Sequence, residues 1–88
     1  MTNKIAVVTG AARGIGLATT KLFLEHSWRV AMIDRDEAEL QKASQELPGA
    51  LPVFCDVSVP AMVEEMVSKV QLAFGRIDAL VNNAGVAF

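Results

Sequence analysis

Ile5-Ala6-Val7-Val8-Thr9-Gly10-Ala11-Ala12-Arg13-Gly14-Ile15-Gly16 is the stretch that decides the fold of this 88-residue chain. An apolar, β-branched run passes into three glycines and then into a helical pattern, so it reads as strand, turn, helix. Gly10 lets the chain bend sharply at the strand end, where φ is expected to be positive. Gly14 removes a side chain where phosphates approach the backbone, and Gly16 lets the helix pack close to the sheet. The free N–H groups and positive dipole end of that helix then face an anion. The expected anion is the pyrophosphate of a dinucleotide, and Gly10, Ala12, Arg13, Gly14, Ile15 and Gly16 are the candidate cofactor-binding residues of this turn. A glycine triplet alone also joins strands to helices for steric reasons, so its surroundings decide its meaning.

Those surroundings begin with a second apolar run, Arg29 to Ile33, ending at Asp34, 18 residues after Gly16. A carboxylate there accepts hydrogen bonds from the adenosine ribose hydroxyls. A structural reading of Asp34 stands beside this one: a polar residue that closes the strand or helps cap the next helix. The flanking cations bear on cofactor choice. A 2′-phosphate needs positive partners, while a bare 2′-hydroxyl suits a carboxylate. Asp34 repels the phosphate; Arg13 and Arg35 are either partners for it or solvated surface side chains. Charge favours NAD over NADP.

The rest of the chain alternates strands and helices. Strands are expected at Lys4–Thr9, Arg29–Asp34, Leu51–Cys55 and Ile77–Val81 or Asn82. The first helix is expected from Gly14 to His26, with Ile15, Ala18, Leu22 and Phe23 on its inner stripe. The second runs from an N-cap at Asp36, with Glu39 as capping-box partner, to Leu47. The third starts near Ser58 and Pro60, carries Val63, Met66, Val67, Val70 and Phe74 on one face, and stops at Gly75. The strands are apolar without alternation, as in a parallel sheet covered on both faces. Right-handed crossovers then give strand order 3-2-1-4, with a ligand crevice between strands one and four at their C-terminal ends. The fold class is α/β, the N-terminal part of a Rossmann-type, doubly wound parallel sheet.

Composition excludes several functions. Net charge is −2 with no basic cluster, which argues against nucleic-acid binding. Apolar runs of four or five residues are too short for a membrane span, and the N-terminus enters a strand at once without a signal peptide. One cysteine, Cys55, excludes an internal disulfide and fits a reducing cytoplasm. His26 has no second His or Cys at ligand spacing, so no metal is expected. Hydrophobic content of 52% is high for so short a chain, pointing to an interface or to a core only half contained here.

With both walls of the crevice read, the chain resembles the short-chain dehydrogenase/reductase family. The matching pieces are Thr9 to Gly16, Asp34, Asp56-Val57 after strand three, and Asn82-Asn83-Ala84-Gly85 after strand four. The resemblance implies a nicotinamide-dependent oxidoreductase moving hydride between alcohol and carbonyl. It implies adenine contacts by Asp56 and the main chain of Val57; a turn-forming Asp bonding its own backbone is the other reading of Asp56. It places Asn82 beside the cofactor ribose, though an amide there also ties strands together. Ala84 and Gly85 stay small so that backbone can approach the ligand.

Family members supply the proton from a tyrosine in a Tyr-x-x-x-Lys pattern, in a part that follows strand four. This sequence has no tyrosine, so no catalytic residue is assigned. The chain is expected to be the cofactor-binding fragment of an NAD(P)-dependent oxidoreductase. The alternative is a non-catalytic nucleotide-binding or subunit-interaction module. An unpaired fourth strand, Ala79-Leu80-Val81, predicts a homo-oligomer or pairing with the missing half.

Overall fold

The computed structural model describes residues 3–83. Along it lie β1 (Ile5–Thr9), α1 (Gly14–Glu25), β2 (Arg29–Asp34), α2 (Glu37–Ser44), β3 (Ala50–Phe54), α3 (Pro60–Phe74) and β4 (Ala79–Val81). The four strands are parallel and ordered β3-β2-β1-β4, as the apolar runs and crossover handedness predict.

Burial follows the order of the strands. β1 is buried along its whole length, and Val30 to Ile33 of β2 are fully buried. These central strands have helices on both faces, which is why their sequences are apolar without alternation. On one face Ala6, Val8, Val30 and Met32 pack with Leu17, Phe23 and Leu24 of α1 and with Leu40 and Ala43 of α2. On the other, Ile5, Val7, Ala31, Ile33 and Val53 meet Met66 and Val70 of α3, with Met62, Val63, Val67 and Phe74 beside them. β3 carries Pro52, which has no N–H to donate. It is tolerated because β3 is an edge strand.

β4 is only three residues long, and it is stitched to β1 at both ends. At the lower end Asp78 N–H donates to Ile5 O at 2.8 Å, and Ile5 N–H donates to Asp78 Oδ2 at 2.8 Å. Arg76 pairs with the other Asp78 oxygen. At the upper end Asn83 N–H donates to Thr9 Oγ1 at 2.8 Å, and the Thr9 hydroxyl donates to Asn82 Oδ1 at 3.2 Å. Thr9 therefore braces this corner.

Several local expectations are corrected. On α1, Ile15, Ala18 and Leu22 face outward; the inner face is Gly16 and Thr20, with Leu17, Phe23 and Leu24 half-buried. α2 ends at Ser44 rather than Leu47, although Leu47 still packs on the core. Ser58 does not cap α3: the N-cap is Val59, and the Ser58 hydroxyl donates to Asp56 Oδ1 at 2.7 Å. β3 stops at Phe54, leaving Cys55 just beyond it. Asp36 caps α2 as expected, accepting from Glu39 N–H at 3.2 Å. α3 covers its side of the sheet more fully than its short stripe suggests, since Ile5, Val7, Ala31 and Ile33 are all buried beneath it. Within the sheet, Leu80 of β4 is 64% exposed and Phe54 of β3 44%.

Three carboxylates are held below the usual acid range. For Asp78 the main cause is the Arg76 hydrogen bond, then the Ile5 N–H. For Asp56 it is the Ser58 hydroxyl, then its N–H; for Asp36 it is the Glu39 N–H, then Arg13. A lowered folded-state pKa contributes stability that is present above the unfolded value and lost as pH falls through the folded one. Denaturant midpoints should therefore be flat near neutrality and fall on acidification from the ordinary carboxylate pKa downward. Asp78→Asn should lower the neutral-pH midpoint and flatten that acid limb.

Candidate functional site

A cleft of about 590 Å³ opens at the C-terminal ends of the strands. Its floor is the β1–α1 turn, through Gly10, Arg13, Gly14 and Ile15. One wall is the end of β2, with Ile33, Asp34, Arg35 and Asp36; another is the stretch after β3, from Cys55 to Ser58; Asn83 closes the β4 side. This is the crevice where the strand order reverses, the place where open α/β sheets bind ligands.

The turn is shaped by its glycines. Gly10 and Gly14 have φ of 63° and 58°, the left-handed region that side chains disfavour. Gly16 is required for a different reason. A Cβ built there would lie 2.0 Å from the Gly10 carbonyl oxygen, so helix and strand end touch backbone to backbone. At Gly14 a Cβ would meet nothing within 4 Å, because that position faces the open cleft. The first intrahelical bond at the N-terminus is Leu17 N–H to Arg13 O. The N–H groups of Gly14, Ile15 and Gly16 therefore have no partner within the helix and form the positive end of its dipole. There is no acidic residue in this first turn to occupy them.

Asp34 ties the turn to β2. Its Oδ2 accepts from Ala12 N–H at 3.0 Å, its Oδ1 from Asp36 N–H at 2.9 Å, and Ala11 N–H donates to Ile33 O at 3.0 Å. The structural reading of Asp34 is thus observed, and each oxygen keeps a second acceptor position. The Ala12 N–H is spent on Asp34, so Ala12 is a buried brace of the turn, outside the cleft lining. Asp56 also shows its turn-forming role, with Oδ1 accepting both Ser58 bonds. Arg35 lies in the same wall, and its charge contributes to the lowered pKa of Asp56.

The Arg13 guanidinium pairs with Asp36 Oδ2 across the mouth of the cleft. Sequence reasoning assigned Asp36 only as a cap, because a chain pattern does not reveal which loops meet. Asn82 is bonded to Thr9 and is not part of the lining; Asn83 is. The Asn-Asn pair signalled this corner without saying which member faces the cleft. Ala84 and Gly85 lie outside the described residues. Burial, then the nearby charges of Asp56 and Glu65, push the Cys55 thiol up, so it behaves as a small apolar wall residue.

The chain belongs to the short chain dehydrogenase family, whose model matches residues 4–88. It is similar to the L-fucose dehydrogenase of Bos taurus, 42% identical over 82 residues, covering 93% of this chain and 30% of that protein. Among solved structures it is similar to the 3-ketoacyl-(acyl-carrier-protein) reductase of Brucella melitensis complexed with NADH. That match has a TM-score of 0.86 and 34% identity, over 90% of this chain and 33% of the other. A short chain dehydrogenase/reductase of Burkholderia phymatum in complex with NAD gives a TM-score of 0.86 and 29% identity, over 90% and 30%. The chain thus spans about a third of the length of the proteins it matches. No described helix is long and apolar enough to cross a membrane.

The two glycines predict different costs. Gly16→Ala should destabilise the fold by about 3 kcal/mol or more, because the clash is with backbone that has little room to shift. Gly14→Ala has open space and should cost only about 1–2 kcal/mol for the left-handed backbone. Urea denaturation of the two variants measures the difference.

Proposed function

We propose that the cleft binds a nicotinamide dinucleotide, NAD in preference to NADP. In this reading the chain is the cofactor-holding part of a short-chain-dehydrogenase-type oxidoreductase acting on an alcohol or carbonyl. The observation that carries the reading is the convergence of the first turn of α1, at Gly14 and Ile15, and the Asp34 carboxylate on one cleft at the β1/β4 switch point. The NADH and NAD complexes of the two solved relatives support it.

The residues present fit such a ligand. The open space over Gly14 admits a pyrophosphate against the first turn of α1. Ribose hydroxyls would donate to the remaining acceptor positions of Asp34, which a 2′-phosphate could not do. Both Ser58 bonds fall on Asp56 Oδ1, so Oδ2 is the oxygen assigned to the adenine amino group, with the Val57 main chain beside it. Asn82, Ala84 and Gly85 are assigned to the nicotinamide–ribose end. The nicotinamide, when bound, supplies the hydride donor or acceptor. This chain's residues hold and orient the dinucleotide; none of the 88 is a tyrosine, and no residue is assigned to proton transfer. That last fact favours the second reading, a non-catalytic binding or subunit-interaction module, for the polypeptide by itself. Cys55 without a disulfide partner supports a reducing, cytoplasmic setting.

Calorimetry on the 88-residue chain should show NAD binding about tenfold tighter than NADP, a difference of ~1.4 kcal/mol. Asp34→Asn keeps an acceptor for the turn but loses the charge, so it should narrow that preference. Tighter binding of NADP by the unsubstituted chain would overturn the cofactor assignment. The same chain should turn over no alcohol or carbonyl, since no general acid is positioned; cofactor oxidation or reduction above a heat-killed control counts against this.

The β4 edge completes the proposal. Among the described residues β4 pairs with β1 on one side only, and Leu80 stands exposed there. Such an edge recruits another strand, from a second copy or from a complementing polypeptide. Sedimentation of the 88-residue chain should show concentration-dependent association. A monomer stable to dilution would refute it.

A further inference from the structure

Asp36 divides its carboxylate between two tasks. Oδ1 accepts from Glu39 N–H at 3.2 Å and caps α2, while Oδ2 pairs with the Arg13 guanidinium. Arg13 comes from the glycine turn and Asp36 from the far wall, so the pair spans the mouth of the cleft that Asp34 and Arg35 also line. Of the two cations there, Arg13 is the one in a direct ion pair among the described residues. Both side chains remain largely exposed, at 63% and 43%, so the pair is reversible and open to competition from a stronger anion.

We propose that Asp36 is a positioning residue that sets cofactor preference by holding Arg13 away from a 2′-phosphate. This rests on the proposed dinucleotide site and deepens it. An arginine fork matches phosphate well, and a free Arg13 at this cleft would favour NADP. Paired with Asp36, its charge is neutralised and one end of its fork is occupied. The preference for NAD then has two separable sources: repulsion and hydroxyl recognition by Asp34, and removal of a competing cation by Asp36.

The test is the ratio of NADP to NAD affinity, measured by calorimetry on the full chain. Asp36→Asn keeps a good N-cap but cannot form the ion pair, so α2 should retain its helicity by circular dichroism. The ratio should shift toward NADP by about fivefold, the scale of an exposed ion pair. Combining it with Arg13→Gln should abolish the shift. A shift that persists without Arg13 overturns the proposal, since Asp36 would then act by its own charge. NAD binding with an unchanged ratio overturns it and leaves the dinucleotide site standing. Absence of any binding by the unsubstituted chain overturns both. Asp36→Ser, a neutral cap of another shape, should reproduce the shift; unfolding of both variants would show that the residue serves the fold alone and would likewise overturn the proposal.

Discussion

The backbone contact between Gly16 and the Gly10 carbonyl is the constraint on which the rest of the structure depends. A side chain at Gly16 would fall 2.0 Å from that oxygen, so the distance between α1 and the end of β1 is set by two peptide groups. That closeness sets the first turn of α1, with Gly14 and Ile15, at the strand-end cleft. It also brings Thr20, one turn on, fully into the interior, where its hydroxyl donates to Gly16 O at 2.9 Å. Phe23 and Leu24 then cover the sheet, and the Phe23 ring lies 4.8 Å from Trp28 at the corner leading into β2. The cleft and the core on that face share one origin.

Carboxylates do the corresponding work in the loops. Asp34, Asp36, Asp56 and Asp78 each accept at least one backbone N–H, and each holds a turn or strand end in place. Three of them also line the cleft. An ionised carboxylate has about four acceptor positions, more than a local turn consumes. The same group can therefore brace a loop and face a ligand. Asp34 lines the cleft and also holds its turn: removing its oxygens releases the Ala12 and Asp36 N–H groups.

The sheet is unequal across its width. β1 and β2 are sealed on both faces, while β4 is three residues stitched at its ends, with Leu80 open to solvent. Its attachment rests on polar clasps at Asp78 and Thr9 more than on apolar cover. The strand that forms one side of the switch point is thus the least embedded of the described set.

The amino-acid sequence by itself determined the element order, the parallel sheet with order β3-β2-β1-β4, and the glycine turn with Asp34 opposite it. These follow from local signals: apolar strands without alternation, glycines and prolines at turns, and the one crossover hand that L-residues favour. The inner face of α1 did not follow. Ile15, Ala18 and Leu22 have helical spacing and apolar side chains, yet they face outward. Close helix–strand contact is made by the smallest residue and by a threonine that satisfies its own hydroxyl, so hydrophobicity marked the wrong stripe. Only the tertiary structure decided that Asp36 meets Arg13, that Asn83 and not Asn82 lines the cleft, and that Asp34 holds the turn it faces. Each of these is a meeting between loops far apart in the chain. Pairing across such distances is set by how the sheet brings the strand ends together, and no local pattern encodes it.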